Sequence, residues 1–472
     1  MSSLPSSTLS NLRDKSPICL LSLAAASLLA VGCGGAISST NPVTNAVTGG
    51  AFIIGTDAPV TSVTSFSVQV QSINAIDAAG KSTSLLSGSP TVDFARFNGL
   101  QTLLDMNDVP ADTYTSVAIT LGPATIGYLN AVSGSAPTIV SQPATLTTNT
   151  INITLAKPLV VSQTAPVGIH MDFDLRKSIQ VDSKGQITGM VTPTFDIRAV
   201  GPSDSDAYVD EFDAAVVSVN TTAQSFVIQG PHGRNFTVNV SGNTEWDNSE
   251  SLSSLSTSSI VQISGQLDRA DATIDADEVA ILSQNGFFAD GQVTYVTPTS
   301  GAATSFDLFV RGLLPTTTGL TLGQIAQVNL TGQENFFIYR QRNILSQFLF
   351  NSSLMLPGQA VAIGGPASGA TNPQAVTTKR VILRYWGFNG IVVPGSINPG
   401  SNTFQMQMNG FAGLLIPQNV TVYVSGPTAF RSGLTAFGSV AASTNVRVVG
   451  LLVKDPVSGQ TVLLARYVDA LN

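Results

Sequence analysis

The chain has 472 residues, of which 43% are hydrophobic and only 11% charged, with a formal net charge of −8. That length is too great for one core and suits several domains, while the acidic balance argues against nucleic acid or anionic lipid held by charge. With two histidines and two cysteines in the whole chain, a zinc site of the usual kind is excluded, because it takes three or four such ligands.

The N-terminus reads as an export address. Arg13 and Lys15 precede an apolar stretch from Pro17 to Ala30, which at about 14 residues is shorter than the about 20 that span a bilayer. Val31-Gly32-Cys33 then places a cysteine directly after a small residue, the layout of a lipoprotein cleavage site. The expectation is a signal peptide over residues 1–32 and a lipid on Cys33 that tethers an exported protein to a membrane. Cys19 falls inside the removed segment, so no internal disulfide is expected. Gly34 is not the aspartate that retains lipoproteins at the inner membrane, which points to the outer one. Residues 33–50 are small and polar, a flexible tether.

From Ala51 the text is β. Phe66, Val68 and Val70 alternate with Ser67, Gln69 and Gln71, the period of a half-buried strand. Phe52-Ile53-Ile54, Val92-Asp93-Phe94, Tyr114 to Leu121, Ile151 to Leu155 and Val167 to Leu175 complete an antiparallel β-sandwich over residues 51–203. From Ala207 a pattern repeats three times: strand, Phe-headed strand (Phe226, Phe306, Phe404), strand, connector, strand ending in Gly, strand. Five or six short strands with an irregular connector before the fourth predict small closed barrels like those that bind oligonucleotides or oligosaccharides. They are assigned to residues 204–284, 285–385 and 386–472, with a short helix expected inside the long connector Gln341 to Leu356. The predicted fold class is therefore all-β: one sandwich followed by three tandem small OB-like barrels.

Two resemblances accompany this reading. Thr56-Asp57-Ala58-Pro59, the Val92-Asp93-Phe94 strand and Val109-Pro110-Ala111-Asp112-Thr113-Tyr114 resemble bacterial lipoprotein domains of unknown function 4382. The repeats resemble domain of unknown function 5666, which is often tandem on exported proteins. The first resemblance implies a surface lipoprotein β-domain and brings no known activity or catalytic residue.

The candidate sites are few. Asp204, Asp206, Asp210, Glu211 and Asp213 crowd five carboxylates where sandwich meets barrel, and calcium is their one cofactor reading; a hydrated linker kept open by repulsion is the simpler one. Asp268, Asp271, Asp275, Asp277 and Glu278 form a second acidic run, partly alternating like a strand. Tyr385, Trp386 and Phe388 are candidates for stacking on a sugar, though successive rings on a strand face opposite ways and half of them belong to a core. His170, Asp172 and Asp174 share one strand face, expected to be a solvent-facing polar strip; His232 is expected in a hairpin turn. No nucleophile motif accompanies either histidine. The expectation is thus a non-catalytic binding or scaffolding protein of the cell envelope, partnered by the membrane through Cys33 and by an envelope protein or glycan, with no nucleic acid. A carbohydrate-binding or adhesion lipoprotein is the alternative, and a carboxylate-dependent hydrolase comes third.

Overall fold

The computed structural model describes Thr48 to Leu471 apart from residues 58–62, 97–101, 131–135, 164–166, 183–186, 202–206, 230–234, 248–249, 268–272, 285, 315–318, 340–347, 366–374, 410–414, 417 and 456. The described chain is nearly all β, as its composition dictates. Its first strand, Thr48–Asp57, takes in Thr48, Gly49 and Gly50 from the stretch read as tether.

The sandwich stacks a four-stranded sheet on an eight-stranded one. The smaller sheet places Thr48–Asp57 at its centre, antiparallel to Thr102–Pro110 and parallel to Val167–Phe173. The larger sheet also holds one parallel pair, Ile187–Val191 with Thr138–Leu146, so the sandwich is mixed, not purely antiparallel. Alternation along Val63–Asp77 sends Phe66, Val68 and Val70 inward, and all three are buried.

The motifs behind the first resemblance hold this sandwich together. At Val109-Pro110-Ala111-Asp112-Thr113-Tyr114 the chain leaves the small sheet and enters the large one. Tyr114, buried, donates its hydroxyl to the Pro110 carbonyl at 2.9 Å, the arrangement of a tyrosine corner. Asp93 accepts from the Phe66 amide at 2.8 Å, and Phe94 meets Phe173 edge-on at 5.0 Å. Phe173 in turn stacks on Phe195 at 4.4 Å.

The three repeats share one topology. In the first barrel Tyr208–Asn220 pairs with Ser225–Gln229, that with Asn235–Asn239, and the third strand runs parallel to the fifth, Ile274–Ser283. Ile260–Leu267 joins the fifth strand to the first and closes the ring. The third barrel closes in the same order through Trp386–Val392, Thr403–Met408, Asn419–Arg431, Asn445–Lys454 and Thr461–Ala470. In the second barrel the fifth strand is interrupted: Ala375–Thr377 lies parallel to Ile325–Asn329, and Arg380–Leu383 lies parallel to Asn335–Ile338. Only Thr378 and Lys379 separate the two halves, so the ring closes through the chain itself rather than through an unbroken ladder. This is the strand order of an OB-type barrel.

The Phe-headed strands occupy equivalent places. Phe226, Phe306 and Phe404 are all buried, and each lies opposite a valine of the third strand: Val238, Val328 and Val422. A second repeated device was not read from the sequence. Val240-Ser241-Gly242-Asn243-Thr244 and Val424-Ser425-Gly426-Pro427-Thr428 both bend the third strand. In each, the threonine hydroxyl accepts from the serine amide (2.8 and 3.0 Å) and donates to a fifth-strand carbonyl, Ala276 or Ala465, at 2.7 Å. The second barrel writes Leu330-Thr331-Gly332-Gln333-Glu334 instead. There Glu334 accepts the Thr331 amide and hydroxyl, and the fifth strand opposite is the interrupted one.

Of the connector helices, Leu252–Ser254, Ser352–Leu354 and Phe437–Ser439 are single 3₁₀ turns before the fourth strands. The helix expected within Gln341 to Leu356 is represented only by Ser352–Leu354; residues 341–347 lie outside the described residues.

Candidate functional site

The four domains are not beads on a string. Phe52 and Val200 leave the sandwich to join the first barrel's core. One apolar cluster runs from Ala280 and Leu282 of the first barrel through the second to Leu451 and Val453 of the third. Along these seams lie several buried ion pairs.

The central barrel supplies three arginines. Arg384, just after its fifth strand, reaches Asp213 of the first barrel at 3.2 Å and Asp290 of its own first strand at 3.1 Å. All three side chains are at least nine-tenths buried. Gln262 completes the group by donating to Asp213 at 2.8 Å. Arg380 donates to the Ile281 carbonyl of the first barrel and pairs with Glu250 at 3.3 Å. Burial raises the Glu250 carboxyl, and Arg380 pulls it back. Arg311, buried, donates to the Ala95 carbonyl of the sandwich at 3.2 Å and to Gln292 at 3.1 Å.

The third barrel adds Arg466, which pairs with Asp210 of the first barrel at 3.3 Å; Ser264 donates to the same oxygen. Burial, and then the Asp210 charge, push the nearby Tyr208 phenol above its ordinary range. Gln359 of the second barrel, wholly buried, donates to the Leu452 carbonyl of the third at 3.1 Å.

This geometry redefines the acidic run at the first junction. Asp210 and Asp213 are neither solvated nor mutually repelling; each is buried and held by an arginine from another barrel. The hydrated-linker reading is overturned for these two residues. Asp204, Asp206 and the Glu211 side chain lie outside the described residues. Among the described residues, no group of three or more carboxylate, histidine or cysteine side chains is gathered in a way that could hold a metal ion. Of the second run, Asp275 and Asp277 are exposed, Asp275 accepting from Asn239, and Glu278 is buried. Asp268 and Asp271 lie outside the described residues.

The proposed sugar platform is interior. Tyr385 is 4% exposed, Trp386 7% and Phe388 1%. Tyr385 and Trp386 face guanidinium groups: Arg466 lies 5.3 Å from the Tyr385 ring and Arg311 4.7 Å from the Trp386 ring. Both faces of this strand are covered, because it faces its own core on one side and the interdomain seam on the other. His170 is likewise buried at 6% rather than on a solvent-facing strip. Cys33 and His232 lie outside the described residues.

The outer face of strands two and three, where barrels of this type hold ligands, is treated differently in the second and third repeats. In the second barrel Phe309 and Ile325 on that face pack against Leu129 and Ile139 of the sandwich and Leu415 of the third barrel. In the third barrel Gln405, Gln407 and Asn419 are exposed. The sequence carried a signal for the seam that was missed: arginine written into an apolar aromatic strand, as in Phe309-Val310-Arg311, Leu383-Arg384-Tyr385 and Ala465-Arg466-Tyr467. In a chain with only 21 basic residues, such placement marks a buried pair rather than a solvated face.

Comparison with known families agrees with the reading of the N-terminal part. The family described as Domain of unknown function (DUF4382) matches residues 53–230. That match runs beyond the sandwich through the first two strands of the first barrel, the strands whose core Phe52 enters. No curated protein matches the chain.

Proposed function

We propose that this is a non-catalytic, lipid-anchored protein of the cell envelope that acts as a rigid platform, its four domains locked into one body. The observation that supports this reading is the use made of the central barrel's ligand face: Phe309, Ile325 and Arg311 are taken up by the sandwich. Three ion pairs elsewhere, Arg384–Asp213, Arg380–Glu250 and Arg466–Asp210, join one barrel to another, a poor arrangement for turnover and a good one for holding shape. Anchoring rests on Val31-Gly32-Cys33 after a charged, apolar leader, with the outer membrane favoured by Gly34. Cys33→Ser should release the protein from washed membranes; retention of the variant would sink the anchor. Calorimetry of the full chain should give one unfolding transition, and separate transitions for sandwich and barrels would sink the rigid platform.

Glycan binding is the second reading, favoured by one observation. The third barrel leaves Gln405 opposite Thr421 and Gln407 opposite Asn419 on an uncharged outer face, and amides and hydroxyls suit neutral sugars. A glycan array bound by the wild type and lost on Gln405→Ala with Gln407→Ala would promote it.

A further inference from the structure

We propose that the second barrel keeps a ligand site on the open half of its outer face, the row Tyr295, Asp307 and Gln327, and that this row takes a glycan by a protonated amino group. Sugar as the ligand class rests on the glycan reading above; the barrel and the amine are new. The row follows from strand register. Tyr295 on Phe287–Thr297 lies opposite Asp307 on Ser305–Leu314, and Asp307 lies opposite Gln327 on Ile325–Asn329. Their chain neighbours Val296, Phe306, Leu308, Ala326 and Val328 are all buried, so alternation turns the three side chains outward together. Residues directly opposite in a sheet stand about 4.5–5.5 Å apart at Cβ, within reach of a single sugar ring.

Two residues along the same face, Phe309 and Ile325 are the pair covered by the sandwich. The row therefore borders that junction, with Tyr295 and Asp307 half-buried and Gln327 exposed. The carboxylate is what points to a ligand. Asp210, Asp213, Glu250 and Asp290 each have an arginine; among the described residues Asp307 has none, and its side chain makes no hydrogen bond. Burial holds its carboxyl above the ordinary range with no basic group opposing the shift. A half-buried carboxylate in that position is stabilised by a cation brought from outside.

The neighbouring groups select what carries that cation. Tyr295 offers a ring that attracts an ammonium group and stacks on the apolar face of a sugar. Gln327 can hydrogen-bond a sugar hydroxyl, and Thr297 and Asn329 continue the open face as exposed, uncharged positions. A peptide amine would more readily arrive by adding a strand to a sheet edge. Here the outermost of the three strands are already paired, Phe287–Thr297 with Ala360–Gly365 and Ile325–Asn329 with Ala375–Thr377, and a closed sheet offers no such edge. In the third barrel Gln405 and Thr421 stand where Asp307 and Gln327 stand in the second. The same face is thus neutral in one barrel and anionic in the other.

Titration calorimetry on the full chain, near neutral pH and at low salt, tests this with a linear glucosamine hexamer and its fully N-acetylated counterpart. The free-amine hexamer should bind, the acetylated one should bind roughly tenfold or more weakly, and Asp307→Asn should erase that difference. Equal binding of the two hexamers overturns the site, as does no binding of the amine form or a wild-type preference kept by Asp307→Asn. A lysine homopeptide that binds as tightly as the amine hexamer overturns it too, by making charge alone sufficient. Binding lost in Gln405→Ala with Gln407→Ala but kept in Asp307→Asn overturns this site and leaves the third-barrel reading standing. If Asp307→Asn fails to fold, Gln327→Ala at its exposed position takes its place, and an unchanged affinity there overturns the site.

Discussion

The second strands of the central and third barrels start alike and end differently. Thr403–Met408 is six residues long and presents Gln405 and Gln407 to solvent, whereas Ser305–Leu314 is ten residues long. Phe309 stands where the third barrel has Gln407 and packs against the sandwich, and the extra length of the central strand adds Arg311 to that contact. Both strands are headed by a buried phenylalanine and share a register with the third strand. The difference teaches that the inner face of such a barrel sets the fold, while the outer face is free to become either a binding surface or a glued joint.

The sharpest way to break the joint is Arg384→Met, which leaves Asp213 and Asp290 buried without their cation. Loss of one partner of a buried pair costs about 3–5 kcal/mol, to be read as a lower denaturant midpoint. The inner faces should behave alike in all three barrels: Phe226→Ala, Phe306→Ala and Phe404→Ala should each cost about 3–5 kcal/mol. A much smaller loss at one of them would show that barrel to be packed differently. Thr244→Val and Thr428→Val, which remove a buried hydroxyl bonded on both sides, should cost about 1–2 kcal/mol each. At the free outer face, Gln405→Ala should change stability by less than about 0.5 kcal/mol.

Much of this architecture was legible, because it rests on local pattern. Period-two alternation located Val63–Asp77, and the recurring Phe-headed strand located three barrels at equivalent core positions. The seam was illegible for a physical reason. Asp213 meets Arg384 across 171 positions and Asp210 meets Arg466 across 256, so a run of five acidic residues looks self-repelling until the distant cations are in place. The rings at Tyr385, Trp386 and Phe388 misled similarly. Alternation exposes every second residue only when one face of a strand meets water, and this strand has another domain on its outer side. The interrupted fifth strand of the second barrel was hidden for a third reason. Glu334 stands where the other barrels carry a threonine, and one such substitution in a four-residue bend leaves no mark on the hydrophobic pattern.

The placement of Phe52 has a kinetic consequence. A chain made from its N-terminus completes the sandwich near Val200, yet Phe52 and Leu129 then lack the residues that cover them. Phe52 waits for the first barrel, and Leu129 waits for Phe309. During that interval the nascent sandwich shows two apolar spots to its surroundings, a condition that favours aggregation or capture by a chaperone. Synthesis speed between residues 200 and 310 should therefore govern the yield of folded protein more strongly than speed anywhere downstream.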